Sequence, residues 1–289
     1  ESVRAFWERE YTPQDTVVIV VGDLDPAVVE RKIVERFAGW RPGNDAERPD
    51  AGPVDLARVG ETDIYLDPAL TESVTLVMNY PYVDRPDTVE ESLKSLLRGI
   101  GSRAIGRRLQ RLRRVEDPPF RKVNFGARNF QEAASSITLS VATEDGEWRR
   151  GLDTALDEFR RALLFGFDEA EIAEQVSTVR TRLENAAANA ETRTHPGFVN
   201  DALKIARGDT VPAGPRESLP LFESISSELT PENVLAEMRA TFRTFDDPLI
   251  RFTGKAAPEG GAQALRAATR SALARDLTPP EATATVEFA

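Results

Sequence analysis

The spacing of apolar residues changes several times along this chain, and each change predicts an element. In residues 2–10, SVRAFWERE, Val3, Phe6 and Trp7 fall on one side of a helix that Pro13 stops. Residues 16–22, TVVIVVG, form a continuous apolar run closed by Gly22, which predicts a strand buried on both faces. Asp25-Pro26 then supplies an N-cap followed by proline at the first helical position. Val28, Val29, Ile33, Val34 and Phe37 recur at helical spacing, and that helix ends near Gly39. Two strands are predicted in TDIYL and SVTLVMNY, and a helix from about 87 to 115. VNFGARNF (123–130) and SSITLSVAT (135–143) read as a pair of strands able to form a hairpin. Long helices are predicted over 147–165 and 168–192, broken at Gly166-Phe167-Asp168 with Asp168 as a cap. Shorter helices follow around 196–207 and 218–227. The last unit is a helix at 231–243, a strand LIRFTG at 249–254 and a helix GAQALRAATRSALA, and the tail LTPPEATATVEFA reads as an extended connector.

Between the second helix and the strands lies RPGNDAERPDAGPVDLA (41–57), with three prolines, three aspartates and two glycines in a polar setting. This composition marks a linker and the best domain boundary. A second organising feature is an internal repeat. VRAFWEREYTPQDTVVIVVG (3–22) aligns with VLAEMRATFRTFDDPLIRFTG (234–254). Both begin with Val, carry an aromatic eight residues on (Tyr11, Phe242), break the helix, run an apolar strand and close it with Gly22 or Gly254. One inserted residue absorbs the difference between an offset of 231 at the first pair and 232 at the last. Such self-similarity implies a duplicated unit of roughly 230 residues. The expectation is that 1–41 is the C-terminal tail of a first domain, 42–57 a linker and 58–289 a nearly complete second copy. A chain opening at Glu1 rather than Met reads, on this view, as a fragment.

Composition narrows the function classes. Hydrophobic content of 40% and charged content of 29% suit a soluble globular protein, and the run VVIVV is far too short to span a bilayer. A formal net charge of −11 argues against general nucleic-acid binding. The chain has no cysteine, which removes disulfides, a thiol nucleophile and cysteine-based metal sites.

The residues able to do chemistry are few. The single histidine, His195 in TRTHPGF, cannot form a histidine pair, and neither H-E-x-x-H nor H-x-x-E-H occurs. It reads as a loop or helix-boundary residue before Pro196. Gly22-Asp23-Leu24-Asp25 stands between a strand and a helix as a dinucleotide turn would. It has one glycine instead of three, and its two aspartates would repel a pyrophosphate. Acids in DEAEIAE (168–174) place Glu171 and Glu174 on one helix face; a capped acidic helix N-terminus explains them better than a metal. No G-x-S-x-G elbow and no P-loop is present. Residues 98–122 reverse the sign of the chain, with nine Lys or Arg against Glu116 and Asp117. Three readings stay open there: a solvated helix face, partners for acids elsewhere in the chain, or a site for a carboxylate or peptide.

Residues 1–40 resemble a segment of the pitrilysin/insulinase family of zinc metallopeptidases. The resemblance rests on Phe6, Trp7, Tyr11, Pro13, the strand Val17–Val21, Gly22, Asp23, Asp25 and Pro26, and is weaker through the linker, the strands at 61–80, the helix at 87–115 and the helical pair at 147–192. It implies an α/β (α+β) fold, a metallopeptidase-type domain with a mixed, mostly antiparallel sheet packed against helices, preceded by the tail of a homologous domain. In that family H-x-x-E-H and a third zinc-binding glutamate lie upstream of the matched segment. The resemblance therefore implies no catalytic residue, metal ligand or cofactor in this chain, with zinc held upstream. It also implies an Arg and, seven residues later, a Tyr that hold substrate. LRRVEDPPF offers Arg113 and Phe120 at those places, and Phe120 lacks the hydroxyl. The implied partners are a peptide substrate and either the upstream catalytic domain or a homologous subunit, with no nucleic acid and no membrane. A bacterial, periplasmic parent is implied as well. The competing expectation is a family member without the zinc motif that serves as a subunit or scaffold, or a peptide-binding module.

Overall fold

The computed structural model describes residues 2–41, 53–130, 132–208, 211–242 and 245–280, and these fall into two compact units, 1–51 with 182–221 and 52–181 with 222–289.

The larger unit is built on one sheet. Its strands are β1 (Thr62–Leu66), β2 (Ser73–Pro81), β3 (Lys122–Phe130), β4 (Ala134–Ala142) and β5 (Leu249–Gly254), in the order β1-β5-β2-β4-β3. Only β1 and β5 run parallel; the other pairs are antiparallel, so the expected mixed, mostly antiparallel sheet is present. The expected β3–β4 hairpin forms with Phe125 opposite Leu139 and Val123 opposite Val141. Alternation assigns the two faces. Val74 and Leu76, Ile137, Leu139 and Val141, and Ile250 and Phe252 are buried. The other face carries hydroxyls paired across strands: Ser73 with Thr253, Thr75 with Ser140, and Ser136 donating to Asn79.

Helices α3 (Val89–Leu112), α4 (Trp148–Phe165), α8 (Pro231–Thr241) and α9 (Gly261–Ala274) complete the core. In α4 the buried residues Trp148, Leu152, Ala155, Leu156, Phe159, Ala162 and Leu163 follow a helical stripe. Phe125, Phe159, Phe242 and Phe245 form an aromatic cluster with centroids 5.6–6.0 Å apart. Gly101 lets α3 approach α8 closely, because a Cβ there would stand 2.6 Å from the Met238 sulfur. Gly166 ends α4 at φ 84°, a conformation that favours glycine. After it α5 (Glu169–Ala188) begins with Asp168 in the preceding position, and the Asp168 N–H donates to the Glu171 side chain at 3.1 Å. That bond is half of a capping box, closed by Glu171 rather than by the Asp168 side chain.

In the smaller unit α1 (Val3–Glu10) and α2 (Pro26–Phe37) form as the pattern predicts, and Asp25 caps α2 by accepting from the Ala27 N–H at 2.9 Å. The strand predicted at 16–22 does not form. The segment pairs with no strand among the described residues, and Val17, Val18 and Val20 are exposed. The reason is physical: an apolar run becomes a strand only when neighbouring backbones take up its N–H and C=O groups. Pro13 opens a short 3₁₀ turn after α1 has already ended at Glu10. Helix α6 (His195–Arg207) belongs to this unit, α7 (Pro215–Ile225) passes from it into the larger one after Leu221, and both match the shorter predicted helices. Most of the 41–57 linker and the end of the tail lie outside the described residues.

Candidate functional site

The basic run at 98–122 is placed by α3 and the start of β3, and most of it is spoken for within the fold. Buried positions on α3 are Leu97, Ile100, Gly101, Ala104, Ile105, Arg108 and Leu109, so Arg108 occupies a place in the apolar stripe. Its guanidinium donates to both Glu171 oxygens at 2.6 and 2.7 Å and to the Gly166 carbonyl at 2.9 Å, with Glu158 at 3.5 Å. It also lies 5.2 Å from the Phe167 ring centroid. Burial alone would push the Glu171 carboxyl up. Hydrogen bonds from Arg108 and the Asp168 N–H, with the charges of Arg108 and Arg111, outweigh burial and hold it below its ordinary value. Burial likewise works against the Arg108 charge, and Glu171 and Glu158 restore it.

Around this pin the neighbouring cations find carboxylates. Arg111 reaches Glu171 at 3.2 Å, Arg107 reaches Glu174 at 3.3 Å, and Arg98 bridges Glu91 and Glu237 at 2.6 Å each. Arg121 pairs with Glu144. Of the three readings of this run, partnership with acids elsewhere in the chain therefore accounts for most of it. The Glu171–Glu174 cluster is explained at the same time, as the acidic side of an interhelical ion-pair set. The stripe position of Arg108 was the signal in the sequence that distinguished it from its neighbours.

What is left over lies along β3. A cavity of about 660 Å³ between α3, α5 and the start of β3 is lined by Arg107, Gln110, Arg113, Phe120, Lys122 and Glu174 among others. A second, of about 690 Å³, continues along β3 and is lined by Arg85, Arg98, Gly126, Arg128 and Asn129 among others. The two share Ser102 and Phe125, so they adjoin along the strand. The structure thus brings Arg113 and Phe120 to one cavity. Arg113 is the exposed C-cap of α3, while Phe120 is only 2% exposed and forms part of the wall. Among the described residues, Arg113, Lys122 and Arg128 make no ion pair and no side-chain hydrogen bond.

The described residues do not form a zinc site. His195 stands exposed at the start of α6, and among the described residues no group of three His, Cys, Asp or Glu side chains is arranged to hold a metal. Among the described residues no helix is long and apolar enough to cross a membrane.

Comparison with known proteins adds the following. The family described as the peptidase M16 inactive domain matches residues 1–179. No match is found among curated proteins. The crystal structure of the first half of the periplasmic protease PqqL from Escherichia coli superimposes with a TM-score of 0.76 at 17% identity, covering 96% of this chain and 60% of that one. A predicted insulinase family protease from Yersinia pestis gives 0.76 at 17% identity, over 94% and 58%. A peptidase M16 inactive domain from Pseudomonas fluorescens gives 0.56 at 19% identity, over 88% and 57%. This chain therefore spans less than two thirds of each.

Proposed function

This chain belongs to the peptidase M16 inactive-domain family, and from that premise we propose that it is the catalytically silent half of a zinc-dependent metallopeptidase that cleaves peptides. The observation that carries the proposal is the match of residues 1–179 to a family described as an inactive peptidase domain. Zinc and the chemistry at zinc belong, on this reading, to a catalytic half upstream or on a homologous subunit. No residue of this chain is assigned a catalytic step. Its part is to wall the substrate chamber and hold extended peptide.

The groove along β3 is the place we assign to that binding. β3 is an edge of the sheet, so its outer row of backbone groups has no strand partner among the described residues. An extended peptide adds to such an edge by main-chain hydrogen bonds. Arg113 at the groove mouth is positioned to hold a peptide carbonyl or carboxylate. Phe120 supplies apolar wall and no hydrogen bond.

The domain reading is kept as a proposal: 1–41 as the tail of a first domain, 42–57 as a linker, 58–289 as the second domain. The similar ends of α1 and α8 support it. The compact unit of 1–51 with 182–221 crosses that division, and expression of 58–289 alone tests it by whether a cooperative fold results. A bacterial, periplasmic setting is supported by the description of PqqL as periplasmic.

The deciding experiment is zinc analysis with a peptidase assay on the intact gene product, with this chain as control. We expect about one zinc and peptide cleavage in the intact protein and neither in this chain. Tight zinc and cleavage by this chain alone would overturn the reading. An intact protein without zinc or activity would replace it with a scaffold or partner subunit.

A further inference from the structure

We propose that the groove beside β3 selects acidic peptide segments, an inference that rests on the peptide-binding reading above and adds a substrate class to it. Charge accounting over the whole molecule leads there. Acids outnumber bases, 48 to 37, so a cation in this chain has carboxylates in excess to pair with. Several exposed cations, Arg114, Arg149 and Arg207 among them, still make no ion pair among the described residues, and of these unpaired cations Arg113, Lys122 and Arg128 are the three that line the two cavities beside β3. The sheet's other edge, β1, is treated in the opposite way: its Asp63 is paired with Arg251 at 3.3 Å.

Geometry sharpens this. Lys122 and Arg128 are six residues apart on one strand, so they project from the same face about 20 Å apart. Between them on the same face, two residues before Arg128, is Gly126, where an added Cβ would meet nothing within 4 Å. No packing demand therefore explains a glycine there, and a glycine inside a strand permits another backbone to approach closely. The register sets Lys122 and Arg128 on the hydroxyl face, opposite Ala142 and Ser136, while Arg113 stands at the end of α3 on the helix side of the strand. An extended peptide laid along β3 would thus meet one cation at each end of the strand and a second, on the helix side, near the start. Its complement is a strand of about ten residues with Asp or Glu near both ends. Cations on an edge strand also serve to prevent edge-to-edge aggregation, and that is the rival explanation the test must separate.

The test uses fluorescence anisotropy with labelled peptides of about ten residues and this chain as prepared. One peptide carries Glu near both ends, the second has Gln in their place, and the third is the acidic peptide with prolines at alternate positions. The acidic peptide is expected to bind about tenfold more tightly than the Gln peptide at low salt. That advantage should vanish in about 1 M salt, where the screening length is about 3 Å. It should vanish equally in the double variant Lys122→Glu, Arg128→Glu and shrink in Arg113→Gln, with far-UV circular dichroism unchanged because all three residues are exposed. The proline peptide should bind about tenfold more weakly, since it lacks the N–H donors of a ladder. Equal binding of acidic and Gln peptides would mean edge protection only and overturn this inference while leaving the silent-half reading intact. Acidic preference surviving the double variant would place the site elsewhere. Displacement of the peptide by a polyphosphate of equal charge would reduce the groove to a general anion surface and overturn peptide selection. Failure of every peptide to bind would overturn both this inference and the peptide-binding role, leaving zinc analysis to judge the rest.

Discussion

Tyr11 and Phe242 end their helices in nearly the same way. The backbone angles are −94° and 85° at Tyr11 and −97° and 93° at Phe242. Each N–H bonds to the carbonyl four residues back, Trp7 at 3.0 Å and Met238 at 2.7 Å. Beyond this shared corner the two regions part. After Phe242 the chain enters β5, with β1 on one side and β2 on the other, and Phe252 is fully buried. After Tyr11 the equivalent run 16–22 pairs with no strand among the described residues, and Val20, the counterpart of Phe252, is 49% exposed. Val3 is 86% exposed where its counterpart Val234 is fully buried. The helix, its cap and the turn out of it are thus properties of the local sequence. The strand is a property of its neighbours.

The largest expected effect turns that contrast into numbers. Phe252→Ala should destabilise the larger unit by about 3–5 kcal/mol, the usual cost of emptying a buried aromatic site. Val20→Ala, at the equivalent place, should shift stability by less than about 0.5 kcal/mol in this chain. Urea unfolding followed by circular dichroism measures both. If the chain joined to its proposed catalytic half makes Val20→Ala cost about 1 kcal/mol or more, the two regions are equivalent once both have partners. If Val20→Ala is already costly in this chain, residues 16–22 are packed in solution and the contrast is void.

The same distinction explains what was legible in the sequence. The five strands of the larger unit, the hairpin and the long helices were readable because each has a period, a cap or a glycine break of its own. Gly166 and Thr230, for instance, mark a helix end and a helix start without reference to anything distant. The run 16–22 misled for the complementary reason. VVIVV carries the pattern of a central strand, but the pattern records what the strand needs and cannot supply it. Of the candidate site, Arg113 and Phe120 do reach one cavity. The role of Arg108 depended on Glu158, Glu171 and the Gly166 carbonyl, 50 to 63 residues away, and no local feature encodes that meeting. The free state of Lys122 was equally invisible, because it depends on where every neighbouring carboxylate ends up.

A smaller but still large effect sharpens the comparison through pH. The larger unit is pinned by Arg108, while Trp7 and Trp40 report on the smaller unit and Trp148 on the larger. Arg108→Met removes the buried partner of both carboxylates, leaving Glu171 with Arg111 and the Asp168 N–H and Glu158 with Arg161, and should cost about 3 kcal/mol at neutral pH. The Glu171 carboxyl is depressed in the folded state, so its contribution is fully present above the ordinary value of 4.5 and is lost as pH falls through the lower folded value. In the variant the Arg108 hydrogen bonds and charge are gone, and only the Asp168 N–H and Arg111 are left against burial, so the carboxyl rises. The stability gap between native chain and variant should therefore narrow as pH falls below that ordinary value. Variants keeping Trp148 alone or Trp7 alone locate the loss. Loss confined to the Trp148 signal supports the comparison; an equal shift at Trp7 would show that the two units unfold as one.

The smallest effect concerns the two caps that start the paired helices. The Ser2 hydroxyl accepts from the Ala5 N–H at 3.2 Å and the Thr230 hydroxyl from the Asn233 N–H at 3.3 Å, the same bond at each helix start. Removal of such a cap costs about 1 kcal/mol. Helix α8 is docked through Val234 and Met238, so Thr230→Ala should lower the urea midpoint of the larger unit by that amount. Helix α1 has eight residues, all of its apolar side chains exposed, and isolated helices shorter than about 12 residues are marginal in water. Ser2→Ala should therefore fray α1 and reduce helical signal slightly, with no change in that midpoint. Equal midpoint shifts from the two substitutions would mean that α1 already shares the cooperative fold of the larger unit, and that the exposure of Val3 and Trp7 is not the mark of a helix waiting for the rest of its domain.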